Sequence, residues 1–433
     1  MLRACLVCLP AASVVDPTLG GSIGGTETRA WLFARMLARR ADTTVTFVVR
    51  NRTPMGRSID GVSVRTHIDR VFNLFEQVGV CIRRRDGFPW LTIRQWRPRL
   101  LWQLPAAIAV RLLSPKIDPT RPARTFQQID CDVFCTFGVQ TTSAVVIASA
   151  HAAGKQAVLV LGSDGDLDPK FLTDPDYVNP YGDRASVCRF ILEQSDAIVC
   201  QTSEQQRVLQ ERFGRDGVVI ANPIDLEEFD RLAGFAWEGE AAVVAGSPDP
   251  ATPTDGRSPE SAQRPVLWIG RAEPIHKRPM LAIDIARRCP ELPFLLVMNP
   301  RDPAEEARVR AAAPSNVTIR EHVPPTEMPA LMASALALLN TSSLEGFSNA
   351  FLQAGAARIP VVSLVVGDEY LAPSEAGVCC GGNVDRAVEA LDRMARDAEF
   401  RSNAGINGRR AVERQHTAAD RAAELREVLG API

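Results

Sequence analysis

The sequence predicts an α/β protein built from two doubly wound, Rossmann-like domains. Three observations support this fold class. The chain has 433 residues, and a single hydrophobic core usually stops growing below that length. Short apolar runs alternate with helical patterns in both halves, as expected for parallel βαβ units. A turn signal, Asn-Pro-Ile-Asp at 222–225, separates the halves.

The predicted elements follow this alternation in chain order. Strands are expected at 4–9, 43–49, 132–137, 157–161, 197–201, 217–221, 266–269, 294–298, 317–320, 337–339 and 361–364. Helices are expected at 280–288 and 303–312, and the tail at 409–429 is predicted to form one long helix. We expect a domain at 1–224, a second domain at 225–409, and a C-terminal helix at 410–433 that packs back toward the first domain. Residues 237–265 have no periodic apolar face, so we expect them to form a disordered insertion.

The composition excludes several classes of protein. Lys and Arg number 49 against 51 Asp and Glu, so the chain is no polycation built for nucleic acid. No apolar run is long enough for a spanning helix, and the apolar N-terminal run is interpreted as a first strand in a cytoplasmic protein. Cys5 and Cys8 lie inside that run, which favours buried thiols over redox chemistry or a disulfide. The five His include no pair spaced for zinc.

The charge is distributed unevenly along the chain. Residues 50–124 contain 15 Lys and Arg and 5 Asp and Glu, together with Trp90, Trp96 and Trp102. Either this segment is a solvated face with ordinary core aromatics, or it is an interfacial patch that contacts an anionic membrane. The second interpretation predicts peripheral association with the inner face of a membrane.

A glycine-rich segment at 19–28 joins the first strand to the first helix. Its glycines allow close approach of a ligand to the backbone, and a helix N-terminus offers N–H groups to an anion. The spacing matches neither the dinucleotide fingerprint nor a P-loop, because Thr26 stands where a P-loop has Lys. The segment is therefore either a phosphate site or a tight turn.

Two motifs in the second half point to a ligand that carries phosphate. Arg271 follows the predicted strand at 266–269 and Lys277 lies on the short loop after it, where two cations suit a diphosphate. Glu345 follows the strand at 337–339 and precedes a helix that opens near Ser348. A carboxylate for sugar hydroxyls would then lie beside backbone N–H groups for phosphate oxygens.

Together these motifs resemble the GT-B glycosyltransferases of family 4, a retaining group that uses nucleotide sugars. The segments at 195–202, 218–225 and 360–363 are also similar to that family. The resemblance is good over residues 185–430 and weaker over 1–50. It implies two domains that face each other across a cleft, a nucleotide-diphosphate sugar as co-substrate, and no cofactor. A UDP-sugar is the favoured donor, with a glycan, lipid-linked or small-molecule acceptor in cell-envelope polysaccharide synthesis.

The resemblance also implies residue roles. Arg271 and Lys277 would bind the donor diphosphate, Glu345 would hold the donor sugar, and Gln353 would hold the ribose. Gln353 stands where the family has a second Glu, and an amide cannot form the stronger charge-assisted hydrogen bond. Asp164 stands near the place where family members often have a His, so it is the fourth candidate catalytic residue. Further donor contacts are expected at Gly24, Gly25, Asn299, Val323, Gly346, Phe347, Ser348 and Asn349.

Alternative activities and a metal site compete with this assignment. A nucleotide-sugar epimerase or phosphorylase on the same scaffold stays open, as does a catalytically silent binding module. The run Asp164-Gly165-Asp166-Leu167-Asp168 could suggest a metal site. However, Pro169 stands where a calcium loop requires Gly, and the predicted cationic clamp already neutralises the diphosphate. Transfer is therefore expected to need no divalent metal.

Overall fold

The structure is a computed structural model of the whole chain. It describes residues 1–19, 24–84, 87–88, 90–113, 118–235 and 264–431. Residues 20–23 of the glycine-rich segment and 237–263 of the predicted insertion lie outside the described residues. The expected disorder of the insertion therefore stays a prediction.

The strands and helices alternate along the described residues. The strands are β1 Leu2–Val7, β2 Thr43–Arg50, β3 Arg57–Ile59, β4 Val62–His67, β5 Ile82–Arg84, β6 Leu91–Ile93, β7 Val133–Phe137, β8 Gln156–Val160, β9 Ala197–Cys200, β10 Val218–Val219, β11 Val266–Arg271, β12 Phe294–Asn299, β13 Val317–Arg320, β14 Ala337–Asn340, β15 Val361–Ser363 and β16 Gly377–Cys379. The helices are α1 Ala12–Val15, α2 Gly25–Ala38, α3 Arg70–Cys81, α4 Leu100–Leu113, α5 Arg124–Gln127, α6 Thr141–Ala152, α7 Lys170–Thr173, α8 Ala185–Gln194, α9 Ser203–Phe213, α10 Leu226–Ala233, α11 Pro279–Arg288, α12 Pro303–Ala312, α13 Met328–Ala333, α14 Asn349–Ala356, α15 Asp368–Ser374, α16 Val384–Arg396, α17 Ala398–Gln415 and α18 Ala418–Gly430.

The first sheet has the strand order β10-β9-β8-β7-β1-β2-β4-β3. Its central strand β1 pairs in parallel with β2 and β7, and Leu6 lies opposite Phe47 on one side and Cys135 on the other. Cys5 and Cys8 are buried, and burial raises the pKa of both thiols. The interpretation of this C-x-x-C as buried thiols is confirmed.

The second sheet is parallel throughout and has the order β13-β12-β11-β14-β15-β16. Alternate side chains of β11 enter opposite cores, as the two-residue period of a strand requires. Trp268 packs in a cluster with residues of α11 and α16, whereas Leu267 packs in a cluster with residues of α14 and α17. Burial on both faces explains why these strands are almost continuously apolar.

The contacts group the chain into two compact units. Unit 1 comprises Met1–Val160, Pro169–Ile198 and Val428–Ile433, and unit 2 comprises Leu161–Asp168 and Val199–Glu427. Residues 161–168 and 199–224 thus belong to unit 2, although the sequence analysis expects them in the first domain. The domain boundaries at 224 and 409 stay a prediction.

The C-terminal region consists of two helices, so the prediction of one helix over 409–429 is wrong. Helix α17 ends at Gln415 and α18 begins at Ala418. Between them, the N–H of Ile224 donates to the carbonyl of His416 at 2.8 Å, and the N–H of Ala418 donates to the carbonyl of Ile224 at 3.0 Å. The helix breaks because its backbone pairs with residue 224, a long-range contact that no local pattern predicts.

Candidate active site

The candidate site lies at the carboxyl end of the second sheet. The strand order reverses direction there, since β11 is followed along the chain by β12 on one side while β14 lies on its other side. Open parallel sheets bind ligands at such a switch point. Arg271 ends β11 opposite Asn299 of β12, and β14 ends at Asn340. Arg271, Asn299 and Asn340 therefore end neighbouring strands, and the first two are predicted site residues.

Lys277 and Glu345 meet at this switch point. The Lys277 Nζ donates a hydrogen bond to the Glu345 Oε1 at 2.6 Å, and the Glu345 side chain is 13% exposed. Burial opposes ionisation of this carboxyl, but the Lys277 charge and hydrogen bonds from Lys277, Ser342 and Ser348 outweigh it and lower the pKa of Glu345. Glu345 is therefore an ionised carboxylate beside a cation.

The loop that carries Lys277 is fixed by hydrogen bonds between its backbone and the side chains of Glu273 and Thr341. The Glu273 carboxylate accepts hydrogen bonds from the backbone N–H groups of Ile275, His276 and Lys277. The Thr341 hydroxyl donates to the carbonyl of Lys277 at 2.7 Å. The buried Trp268 indole donates to that hydroxyl at 2.9 Å. The position of Lys277 thus depends on the core of the sheet.

The Gly346–Asn349 segment opens helix α14. Ser348 is the N-cap residue, and the Asn349 Oδ1 accepts a hydrogen bond from the Asn222 Nδ2 at 2.9 Å. A Cβ atom on Gly346 would lie 2.6 Å from the Gln205 Nε2 and 3.2 Å from the Ser163 Cα. Only glycine allows this approach without displacing Gln205.

Phe347 points into an aromatic cluster. Its ring lies 5.1 Å from the ring of His416 and 5.2 Å from the ring of Tyr370. The His416 Nδ1 lies 2.8 Å from the carbonyl oxygen of Asn222, which indicates that this nitrogen is protonated and donates. Burial, opposed by that hydrogen bond, lowers the pKa of His416 to about 4. The imidazole is thus neutral and structural.

Asp164 lies in the same unit as Glu345, beside a cavity of about 230 Å³ that both residues line. The Asp164 Oδ1 accepts a hydrogen bond from the Gln205 Nε2 at 2.9 Å. The structure therefore brings Asp164, Lys277, Glu345 and the start of α14 into one region. The remaining residues that line the cavity are Thr202, Glu204, Gly346, Phe347, Ser348, Phe351, Val366, Gly367, Asp368 and Glu369.

Three carboxylates of this cavity were not predicted: Glu204, Asp368 and Glu369. Burial raises the pKa of Asp164, and the charges of Glu204 and Glu345 raise it further. Burial also raises the pKa of Glu369, with Asp164 adding to the effect. Glu204 begins α9 and the other two begin α15. Acidic residues in a first helical turn are so common that no sequence signal sets these apart.

Several predicted site residues lie elsewhere or are not linked to this region by a described contact. Gly24 and Gly25 begin helix α2 in unit 1. Val323 is 7% exposed and packs in a hydrophobic cluster of unit 2, so its side chain serves the core. Gln353 is half-buried on α14, one turn after the start of that helix. Their donor contacts stay predictions.

The aspartate run has hydrogen bonds of its own. The Asp166 Oδ2 accepts from the backbone N–H of Gly162 at 2.6 Å, and Asp164 is bonded to Gln205. Within the described ranges, no group of three or more His, Cys, Asp and Glu is arranged to hold a metal ion.

In the same ranges, no helix is both long and apolar enough to cross a membrane.

Comparison with known proteins agrees with this fold. Residues 263–397 match the sequence family described as Glycosyl transferases group 1. The sucrose-phosphate synthase of Thermosynechococcus elongatus has a similar structure, with a TM-score of 0.64 and 16% identity over 99% of this chain and 98% of that one. Anabaena HepE in complex with UDP and glucose has a TM-score of 0.62 and 12% identity over 99% of both chains. S. aureus TarM in complex with Fondaparinux, α-GlcNAc-glycerol and UDP has a TM-score of 0.59 and 10% identity over all of both chains. None of the curated proteins matches the sequence.

The fold and the family match define the class of protein. The two parallel sheets and the structural neighbours confirm the predicted GT-B fold. The group 1 domain covers most of the second sheet and contains Arg271, Lys277, Glu345 and Gln353. The chain thus has the GT-B fold, and its residues 263–397 match a glycosyltransferase family, in agreement with the predicted enzyme class.

Proposed function

We propose that the chain is a retaining glycosyltransferase of family 4 that transfers a sugar from a nucleotide-diphosphate donor, with UDP-sugars favoured. The observation that carries the proposal is the Lys277–Glu345 pair at the switch point of the second sheet. A diphosphate leaving group needs positive charge and fixed donors where negative charge develops. Lys277, Arg271 and the first N–H groups of α14 are the groups on this sheet edge that supply them.

Glu345 is assigned to the donor sugar. Its carboxylate is ionised and held in place, so it can accept hydrogen bonds from sugar hydroxyls in a fixed direction. Fixed acceptors of this kind position the reacting carbon, which is a large part of what a transferase contributes. The donor would exchange part of the Lys277–Glu345 contact for contacts with its own phosphate and hydroxyl groups.

Asp164 is assigned to the reacting end of the donor or to the acceptor. It is a carboxyl group whose pKa is raised by burial and by neighbouring carboxylates, in a cavity that also contains Glu345. Titratable groups with perturbed pKa values in a cavity are candidates for catalytic work. A glycan, lipid-linked or small-molecule acceptor, as in cell-envelope polysaccharide synthesis, would complete the reaction.

We also propose that transfer needs neither a cofactor nor a divalent metal. The reason is that Lys277 and Arg271 supply the positive charge that a metal would otherwise bring to the diphosphate. A silent binding module, or an epimerase or phosphorylase, is the second candidate function, since Gln353 replaces the second carboxylate that the family resemblance implies.

One experiment separates these functions. Metal-stripped protein in EDTA is first screened by thermal shift against UDP-, GDP- and ADP-sugars, because a ligand that binds the native state stabilises it. The stabilising donor is then incubated with the protein, and its hydrolysis is followed by NMR. Release of nucleoside diphosphate with the sugar first formed in its original anomeric configuration supports the proposal. Inversion, an epimerised donor, or binding without turnover supports another function instead.

A further inference from the structure

An exposed apolar surface of unit 1 is not used by the proposed chemistry. We name it the tryptophan–arginine surface and define it as helices α3 and α4, hairpin β5–β6 and their described connections. Of the 23 large apolar side chains that are exposed among the described residues, 14 lie at 68–113. Scattered exposed apolar residues are ordinary, but a contiguous group of them marks an interaction site.

Helix α4 shows the surface most clearly. Its buried residues are Leu100, Gln103 and Ala107, which lie on one face at helical spacing. Leu101, Ile108 and Leu112 are 70%, 48% and 77% exposed, and their spacing of seven and eleven residues places them on a second face. A helix that packs on one side normally presents polar residues on the other. This helix is apolar on both.

The rest of the surface extends this second face. Strands β5 and β6 pair as an antiparallel hairpin, and Trp90 and Trp96 flank β6 with 67% and 57% of their surface exposed. Trp102 on α4 is 61% exposed. The Gln103 side chain donates a hydrogen bond to Gln77 of α3 and so joins the two helices. The aromatic side chains are therefore displayed by packed elements.

Arginines are interleaved with the aromatic side chains. Residues 87–113 contain four Arg and no Asp or Glu. Arg94, Arg97 and Arg99 are exposed, and within the described part of the chain no carboxylate forms an ion pair with any of them. Elsewhere exposed arginines do pair, as Arg207 does with Glu204 and Glu211. The positive charge of the surface is thus available to an anionic partner.

We propose that the tryptophan–arginine surface docks the enzyme on an anionic lipid membrane. Trp combines an apolar ring with a polar N–H and favours the boundary between lipid and water. Arg attracts anionic headgroups, and apolar residues on an amphipathic helix bury their side chains at the acyl boundary. Residues 87–113 offer no acidic side chain, and Glu76, the acidic residue of α3, already forms an ion pair with Arg52. The charge of the surface therefore complements anionic headgroups.

Vesicle binding tests the docking directly. The full chain is mixed with vesicles of phosphatidylcholine, alone or with phosphatidylglycerol, and association is measured by flotation at low and high salt. We expect binding to the anionic vesicles only, weakened by salt. Because Trp90, Trp96 and Trp102 are exposed and Trp268 is buried, tryptophan emission should shift to shorter wavelength and be quenched by brominated lipid.

Two sets of variants locate the contact. The combined Arg94→Ser, Arg97→Ser and Arg99→Ser variant should bind roughly 100-fold more weakly. Its control, Arg207→Ser with Arg310→Ser and Arg396→Ser, removes the same charge elsewhere and should bind like wild type. Trp90→Ser with Trp96→Ser and Trp102→Ser should lose the emission shift. Its control, Leu172→Ser with Val178→Ser and Tyr181→Ser, should keep it.

Each outcome of these experiments either supports or overturns the proposed membrane docking. Absence of vesicle binding, equal binding to neutral and anionic vesicles, or binding unchanged in both variants would overturn the proposal. If a variant fails to fold by circular dichroism, the salt dependence and lipid quenching of the wild type still decide the question. Donor hydrolysis in the absence of vesicles should be unchanged in folded variants, so this test is independent of the proposed transferase activity.

Discussion

The Lys277 Nζ lies 2.6 Å from the Glu345 Oε1, and this contact joins the loops that follow two neighbouring strands, β11 and β14. The Lys277 charge and its hydrogen bond help to keep the pKa of Glu345 low despite burial. The ion pair thus keeps a carboxylate charged at the place where a parallel sheet binds ligands.

Asp164→Asn is predicted to increase the stability of the fold and to decrease the rate of transfer. Burial raises the pKa of Asp164, and the charges of Glu204 and Glu345 raise it further, so removing its charge should stabilise the fold by on the order of 1 kcal/mol near neutral pH. Transfer should fall if Asp164 acts on donor or acceptor. Thermal unfolding and donor hydrolysis measure the two effects, with Asp176→Asn, an exposed position, as control. A more stable variant with wild-type transfer would remove Asp164 from the site.

Gly346→Ala is predicted to impair the site through packing. The added Cβ would lie 2.6 Å from the Gln205 Nε2, so Gln205 must move and release its hydrogen bond to Asp164. Overpacking of this kind costs about 1–3 kcal/mol. Gly56→Ala is the matched control, since nothing lies within 4 Å of a Cβ at that position. Denaturant unfolding and donor affinity should change in the first variant only.

His416 is predicted to make stability depend on pH. Its pKa is lowered from 6.5 to about 4 in the folded protein, so the unfolded chain binds the proton first as pH falls. The contribution of neutral His416 to the free energy of unfolding is therefore fully present above pH 6.5. It decreases by about 1.4 kcal/mol per pH unit as the pH falls toward 4. In His416→Asn the free energy of unfolding should fall less steeply over this range. His322→Asn, at an exposed position, should retain the wild-type slope, and an unchanged slope in both variants would contradict the assignment.

Gln353→Glu is predicted to tighten nucleotide binding. A carboxylate forms stronger, charge-assisted hydrogen bonds to the ribose hydroxyls than the Gln353 amide can form. The two kinds of hydrogen bond differ in free energy by about 1 kcal/mol, so the affinity for UDP should rise roughly fivefold. Isothermal titration measures it. Unchanged or weaker UDP binding in a folded variant would place Gln353 outside the ribose site.

The parallel sheets were predictable from sequence because burial on both faces makes their strands apolar and short. Strands such as β12 and β13 agree with the prediction to within a residue. Strands β3 and β4 were missed, since β3 is a three-residue edge strand and β4 beside it has no continuous apolar run. The break at His416 was missed as well, because it depends on backbone pairing with Ile224.

The candidate site was predictable where a residue lies on the loop that follows a strand. Lys277 and Glu345 were placed by this rule, and the structure brings them together. Glu204 and Glu369 come from separate elements, α9 and α15, and only the tertiary fold makes them neighbours of Asp164. The side chain of Val323 is buried in the core, and its expected donor contact stays a prediction.

Lys277 is proposed to bind the donor diphosphate and to stabilise the leaving group. The most direct test compares Lys277→Ala with Lys170→Ala in metal-stripped buffer, measuring UDP affinity and the rate of UDP release from a UDP-sugar that the wild type hydrolyses. Lys170 is exposed and lies in unit 1. We predict that Lys277→Ala stays folded, binds UDP more weakly and turns over about 10²–10³-fold more slowly, while Lys170→Ala behaves like wild type. Wild-type UDP affinity and turnover in a folded Lys277→Ala variant would contradict the assignment.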